Sequence, residues 1–320
     1  MEKIPIIVIG AGKMGRAHLE VLKSSPYFRV VGVASHTGVS AQRLAEEFRV
    51  ENHGSDWKEM ASAIGARACV VTVSHLLNEK ITGEAIGAGL HVLAEKPVSL
   101  DASSIRKLHL QAQQQGVQVL VGMNRRYYPS ILEVINTVKY YGKIIGITIL
   151  APDPVAPYRS MGTYDSLVYD EWLKMNTIHA IDLFQMIGGD ILDFQIYKTN
   201  VTEHRECSLT ASLRFKDKLL GTFVSHNSYG GMQDWQVIIA GEGIQANIGP
   251  LEQATLKLDR SPAYAVSSAK RNDGLKPGLY EQATAFSEAI NTGMMVWPSC
   301  DLEEHAKTIE FIESMKASKD

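Results

Sequence analysis

Cysteine is scarce in this chain: of 320 residues only Cys69, Cys207 and Cys300 are cysteine, and none stands close enough to another to form a CxxC pair. That spacing excludes a disulfide scaffold and a zinc-finger ligand set, so no metal site is expected, and it suits a reducing cytoplasm. Long apolar runs are missing as well. The run from Ile4 to Ile9 is interrupted by Pro5 and stops at Gly10; it is too short for a membrane span or a signal core and reads as a strand. Neither sign of charge dominates, for the formal net charge is −3 and the lysines and arginines are scattered. Without a basic field, neither nucleic acid nor a membrane is expected as a partner. Internal repeats and low-complexity tracts are also absent.

What is present is an ordinary globular composition, 45% hydrophobic and 21% charged, on a chain too long for one core. Two domains are expected. The first third alternates β-branched runs with helical stretches: IPIIVIG and a helix from Lys13, FRVVGVAS and Ala41 to Phe48, ACVVTVS and Glu79 to Ala88, then LHVLAEK, a helix capped by Asp101, and VQVLVG. Nearly unbroken apolar strands, each followed by a helix, specify a parallel sheet covered on both faces. The rhythm changes after Gly122. Residues 130 to 141 predict a helix and Ile144 to Leu150 a strand; a loop with Pro152, Pro154 and Pro157 leads to a second helix, Glu171 to Ile187. From Asp190 to Leu258 strand-like segments follow one another across short turns, LTASLRF, GTFVSHNS, WQVIIAG and IQANI among them, which means an antiparallel sheet. Two helices close the chain, near 278 to 291 and 301 to 316. The expected architecture is α/β: a doubly wound parallel sheet over residues 1–122, then an α/β domain with an open, mainly antiparallel sheet over residues 123–320.

Gly10-Ala11-Gly12-Lys13-Met14-Gly15 leaves a strand and opens a helix, the context in which GxGxxG marks a Rossmann dinucleotide site. Gly10 permits the tight turn, Gly12 the close approach of a pyrophosphate, and Gly15 the packing of helix on strand, while Lys13 and Met14 begin the helix that faces the anion. The longer glycine spacing of a P-loop, and its Ser or Thr after the lysine, are missing. At the end of the second strand, where NAD enzymes usually carry an acid for the ribose 2′-hydroxyl, stands Ser35-His36-Thr37. These groups can donate hydrogen bonds to a 2′-phosphate that a carboxylate would repel, so NADP is favoured over NAD; a plain polar loop is the alternative. The fourth strand ends in Glu95-Lys96-Pro97. It delivers Lys96 to the carboxyl edge of the sheet, where ligands of open α/β folds bind, although a lysine there can equally be a solvated charge.

The segments GAGKMG, GLHVLAEKPVS, VGMNRRYYPS and NTIHAIDLFQMIGG, followed by YEQATAFSEAINTG and VWPSCDLEEHAKTIEFIESM, resemble in this order the glucose-fructose oxidoreductase, inositol dehydrogenase and MocA (Gfo/Idh/MocA) family over essentially the whole chain. The resemblance implies an enzyme that moves a hydride between NAD(P) and a hydroxyl or carbonyl of a sugar, cyclitol or related polyol. It carries the family's lysine, often in a cis Lys-Pro bond, to Lys96, which contacts nicotinamide ribose and the reacting hydroxyl. The family's histidine maps to His179, proton acceptor in oxidation and donor in reduction. Asp182 follows one turn later; a lone helical histidine is otherwise a core residue. Val73, Ser74 and His75 are expected along the nicotinamide, and for His75 a plain loop position is an equal reading; Glu95 and Asn124, the latter at the family's domain junction, are further candidate cofactor contacts. Arg126 is expected to be a structural tether.

One residue departs from the pattern. Where many members carry an aspartate one turn before the histidine, this chain has Met175, and the neighbouring Asn176 is expected to hydrogen-bond substrate without exchanging a proton. Of the aromatic group Tyr158, Tyr164, Tyr169 and Trp172, Tyr158, Tyr164 and Trp172 are candidate substrate contacts, packing being the alternative. Met175 keeps open a non-catalytic NAD(P)-binding sensor on the same fold, and a glycosidase using NAD for transient oxidation is a third reading. The resemblance also implies a homodimer or tetramer formed through the C-terminal sheet.

Overall fold

The computed structural model describes residues 2–200, 207–226, 235–266 and 274–318. Its chain divides into two compact units, residues 1–127 with 271–310 and residues 128–270 with 311–320. In the first unit strands and helices alternate: β1 (Ile4–Ile9), α1 (Lys13–Ser24), β2 (Phe28–Ala34), α2 (Val39–Phe48), β3 (Asn52–Gly54), α3 (Trp57–Ala63), β4 (Ala68–Val71), α4 (His75–Gly87), β5 (His91–Ala94), α5 (Ala102–Gln115) and β6 (Val119–Val121). They build a six-stranded sheet in the order β3-β2-β1-β4-β5-β6, every pair parallel. The apolar runs are explained by burial on both faces, for Ile6, Ile7 and Val8 of β1 are all 0% exposed. Strand order reverses at β1, between β2 and β4, and there the carboxyl edge of such a sheet opens a crevice.

Some elements differ from the expectation. The edge strand β3 reads NHG, without a β-branched residue or a Phe, Tyr or Trp, and it is extended because its backbone pairs with β2 while Asn52 Nδ2 donates to the Val31 carbonyl at 2.8 Å. Helix α3 is opened by the Asp56 carboxylate, which accepts from the Lys58 and Glu59 N–H groups at 3.0 Å, an N-cap signal present in the sequence. Helix α4 begins at His75, ahead of the expected Glu79.

The second unit holds α6 (Pro129–Tyr141), β7 (Ile144–Leu150), the short helices α7 (Ala156–Ser160) and α8 (Ser166–Asp170), a π-helical turn over Leu173–Thr177 and α9 (Ile178–Gly188). Strands β8 (Ile191–Asn200), β9 (Cys207–Phe215), β10 (Leu220–His226), β11 (Gln236–Gly241), β12 (Ile244–Ile248), β13 (Ala254–Leu258) and β14 (Tyr264–Ala265) follow. Asn227 and Ser228 of the expected GTFVSHNS strand lie outside the described residues. The eight strands run β14-β13-β12-β11-β7-β10-β9-β8. This sheet is mixed, mainly antiparallel: the early strand β7 inserts at its centre, parallel to β10 and antiparallel to β11. Alternation along β12, with Ile244, Ala246 and Ile248 buried and Gln245 and Asn247 exposed, marks a sheet with one covered face. On that face Phe184 of α9 meets Phe223 edge-on, ring centroids 5.8 Å apart.

The chain closes with α10 (Leu279–Thr292) and α11 (Leu302–Ala317). Helix α10 returns to the first unit, where Leu279, Ala283, Phe286 and Ile290 join Leu19, Leu22 and Phe28 in one apolar cluster. The compact units therefore differ from the contiguous split after residue 122, because an amphipathic helix from the end of the chain completes the first core. Among the described residues no helix is long and apolar enough to cross a membrane. Phe286 stacks on Phe28 at 6.1 Å between ring centroids. Phe286→Ala is expected to cost about 3–5 kcal/mol of unfolding free energy in urea; a loss under about 1 kcal/mol would show that α10 is not part of this core.

Candidate active site

The turn after β1 is shaped by contacts among backbones. Gly10 has φ +113°, and a Cβ there would lie 2.6 Å from the carbonyl carbon and oxygen of Thr72; one at Gly15 would lie 2.0 Å from the Gly10 oxygen. Thr72 Oγ1 donates to that same oxygen at 2.8 Å. Both glycines are thus required by the chain itself. Gly12 is not: its φ of −86° suits any residue, and a Cβ there would meet nothing within 4 Å. It precedes α1 without a side-chain cap, so the first N–H groups of that helix border a cradle that a side chain would fill and an anion fits. Lys13 is exposed and Met14 half-buried, with Lys276 Nζ 3.1 Å from Met14 Sδ.

At the far end of this crevice Ser35 Oγ accepts from the Ala41 N–H at 3.0 Å and the Ser40 hydroxyl at 2.8 Å. Ser35 therefore serves the first turn of α2, while His36 and Thr37 are exposed. Beyond β4, Val73 and His75 are half-buried and Ser74 is exposed. Asn124 stands in a 3-10 turn over Asn124–Tyr127, its amide donating to the Pro277 carbonyl at 2.9 Å. Arg126 is a tether: 1% exposed, it donates to the carbonyls of Pro298 and Ser299 at 3.1 Å and pairs with Glu304.

Lys96 follows β5, and its bond to Pro97 is cis. Asn78 of α4 donates through Nδ2 to the carbonyl of Glu95 and to that of Pro97, the latter at 2.9 Å, and accepts from Thr82 Oγ1 at 3.2 Å. The Val98 N–H donates to His305 Nε2 at 3.2 Å. His18 Nε2 lies 2.8 Å from Glu95 Oε1. Burial alone would raise the Glu95 carboxyl, but the His18 hydrogen bond and the positive charges around it, Lys96 and Lys276 included, hold it below its usual value. His305 is pushed down to about 3 by burial first and then by the charges of Arg126 and Lys96. It is therefore neutral, Nε2 accepting and Nδ1 carrying the proton. None of Asn78, His18 or His305 was expected at the site.

In the second unit the helix expected over Glu171 to Ile187 is interrupted by the π-helical turn. Such a turn holds an extra residue, so the regular spacing that relates Met175 and Asn176 to His179 does not carry across it. Met175 is 7% exposed and Asp182 1%. Asp153, fully buried, accepts from Asn176 Nδ2 at 2.6 Å and Thr177 Oγ1 at 2.7 Å, and its carbonyl accepts from Trp172 Nε1 at 3.1 Å. Asp153 too escapes the sequence reading. The Tyr169 hydroxyl donates to the Tyr158 carbonyl at 2.7 Å and accepts from the Tyr164 N–H at 2.9 Å. The polar tips of Trp172 and Tyr169 thus serve packing, whereas Tyr158 is half-buried and Tyr164 47% exposed. Lys174 pairs with Glu313 at 3.0 Å, and His179 is buried on α9.

Residues 4–123 match the model of an oxidoreductase family with an NAD-binding Rossmann fold, GFO_IDH_MocA. The chain carries the NAD-binding Rossmann domain of the Gfo/Idh/MocA oxidoreductases. Inositol 2-dehydrogenase of Rhizobium meliloti is 28% identical over 192 residues, 57% of this chain and 54% of the relative. The chain spans about half the length of the first curated relatives it matches. Two solved structures share the whole fold. UDP-N-acetylglucosamine 3-dehydrogenase of Acidithiobacillus ferrooxidans superposes with a TM-score of 0.82 at 19% identity, covering 99% of this chain and 97% of that one. Levoglucosan dehydrogenase in complex with NADH and L-sorbose gives 0.84 at 16% identity, covering 99% and 96%.

Within this Rossmann unit His305 has a consequence for stability. Its folded pKa, about 3, lies below the ~6.5 of an unfolded histidine, so the unfolded chain binds more protons between those values. Its contribution is complete above about pH 6.5 and falls as pH drops toward about 3. Between about pH 7.5 and about pH 5 the wild type should lose more unfolding free energy in urea than His305→Gln, which has no ring to protonate. Equal losses would refute it.

Proposed function

We propose that this chain is an NAD(P)-dependent dehydrogenase or reductase acting on a hydroxyl or carbonyl of a sugar, cyclitol or related polyol, with NADP favoured over NAD. The observation that carries the reading is a lysine on a braced loop, Lys96, at the same sheet edge as the open cradle at Gly12. Gly12 and the start of α1 would hold the cofactor's pyrophosphate, with Lys13 and Met14 beside it and Val73, Ser74, His75, Glu95 and Asn124 toward the nicotinamide. Bound there, the nicotinamide supplies a carbon that accepts or gives a hydride. The Lys96 ammonium would favour alkoxide character at the reacting oxygen, and His179 would take the hydroxyl proton in oxidation and return it in reduction. Met175 offers no carboxylate to share this role. The substrate class rests on the inositol and sugar dehydrogenases among the similar proteins and on Tyr158 and Tyr164, whose rings lie 6.0 Å apart and suit a sugar face. A cytoplasmic homo-oligomer, paired through the open face of the second sheet, belongs to the same proposal.

The exposed His36 and Thr37 carry the cofactor preference. Asp at position 35 can accept the bonds that Ser35 accepts from Ala41 and Ser40, so Ser35→Asp should keep the turn and reverse the preference by repelling a 2′-phosphate. Titration of wild type and variant with NADPH and NADH tests this, and a wild type that favours NADH tenfold would contradict it. Gly12→Val should abolish binding of either nucleotide with an unchanged circular dichroism spectrum.

The activity is tested by a cofactor-reduction screen over sugars, inositols and sugar acids with both nucleotides. Lys96→Ala and His179→Ala should each lower turnover by about 10²–10⁴ while changing nucleotide affinity far less. Near-normal turnover in Lys96→Ala would remove the mechanism. Tight nucleotide binding with no turnover on any substrate would favour the sensor reading that Met175 keeps open.

A further inference from the structure

The chain is gripped on both sides of Lys96 by buried side chains that the proposed chemistry does not use. Asn78, 2% exposed, bonds the carbonyls of Glu95 and Pro97, the residues directly before and after Lys96. Its own oxygen accepts from Thr82, 0% exposed, so the amide cannot turn over without losing every one of these contacts. From α11, His305, also 0% exposed, accepts the Val98 N–H. The peptide joining Pro97 to Val98 is therefore held at its oxygen by one side chain and at its N–H by another, and the peptide joining Glu95 to Lys96 is held at its oxygen. Glu95 is fixed in turn, by its N–H to the Val71 carbonyl at 2.9 Å and by its carboxylate to His18.

Burying an amide and an imidazole costs free energy that apolar side chains of similar size would avoid. Here that cost is offset by pairing the backbone groups of one short loop, the carbonyls of Glu95 and Pro97 and the Val98 N–H around Lys96. We propose that Asn78 and His305 are positioning residues for Lys96: they fix the Glu95–Lys96 peptide before it and the Pro97–Val98 peptide beyond it, and so aim its ammonium at a single point. This rests on the reading of Lys96 as the group at the reacting oxygen. The neutral imidazole suits the task, because a protonated His305 would lose the acceptor at Nε2 and set a third positive charge beside Arg126 and Lys96.

The experiment uses the full chain with its lysines reductively methylated by ¹³C-formaldehyde, which keeps their charge, and NADPH as the probe. The Lys96 signal is identified by its loss in Lys96→Arg. It should stand apart from those of exposed lysines and shift on addition of NADPH. In Asn78→Leu and His305→Leu it should move into the crowd of exposed lysines or broaden, and the NADPH-induced shift should be lost. His305→Gln, which returns an acceptor near the place of Nε2, should restore both. A Lys96 signal in the crowd already in the wild type, or one unmoved in folded Asn78→Leu and His305→Leu, overturns the proposal. Should the leucine variants not fold, imidazole ¹⁵N spectra of the wild type decide it: Nε2 must be unprotonated and Nδ1 protonated, and the opposite tautomer overturns the brace. The parent reading fails separately, by a displaced, brace-dependent Lys96 signal that ignores NADPH together with undiminished turnover in Lys96→Ala.

Discussion

One crowded carbonyl organises the Rossmann unit. The Gly10 oxygen is met from one side by the backbone of Gly15 and from the other by the Thr72 hydroxyl, so the end of β1, the first turn of α1 and the residue after β4 share a single point. No side chain fits at Gly10 or Gly15 without moving backbone. The order reversal of the sheet lies at this point, and the N-terminus of α1 is fixed in front of it. Gly12 alone is spared by the chain's own contacts. Its missing side chain leaves open the space proposed for a pyrophosphate.

The parts of this design legible in the sequence are those carried by periodicity and local chemistry. Apolar runs gave the strands of the first sheet apart from β3, the Asp101 cap gave α5, and GxGxxG after a strand gave the turn. The edge strand β3 was not legible because NHG has no side-chain signal and is extended only through pairing with β2. The parallel neighbour of β7 was hidden for a related reason: strand order depends on which edges meet, not on the composition of any one strand. Likewise α10 announces an amphipathic helix, but nothing local says that its apolar face completes a core begun at Ile4.

The candidate site divides in the same way. Lys96, His179 and the glycines stand in motifs, and the structure puts Lys96 and the glycine turn on one sheet edge. The residues that hold them do not announce themselves. Asn78 sits among LLNEKI, a surface-like helical stretch, and His305 lies more than two hundred positions from the loop it grips. Only folding shows that both are buried. The π-helical turn before α9 is equally silent, since its sequence LKMNT is compatible with an ordinary helix; it is anchored by Asp153, which comes from a proline-rich loop.

Asp153 and the pair Asn78 and His305 solve one problem in two places. Each takes a segment next to a residue assigned to chemistry and fixes it by hydrogen bonds from a buried polar group, rather than by apolar packing alone. Packing resists compression but tolerates small rotations of a peptide plane, whereas a carbonyl or N–H with a single buried partner loses the whole bond when it turns away. A polar group aimed at a reacting atom gains most from that second kind of restraint, because small errors of direction cost more than small changes of density. The brace is therefore found beside Lys96 and before His179, the residues proposed for chemistry, while strand β5 and helix α9 are held by ordinary apolar burial.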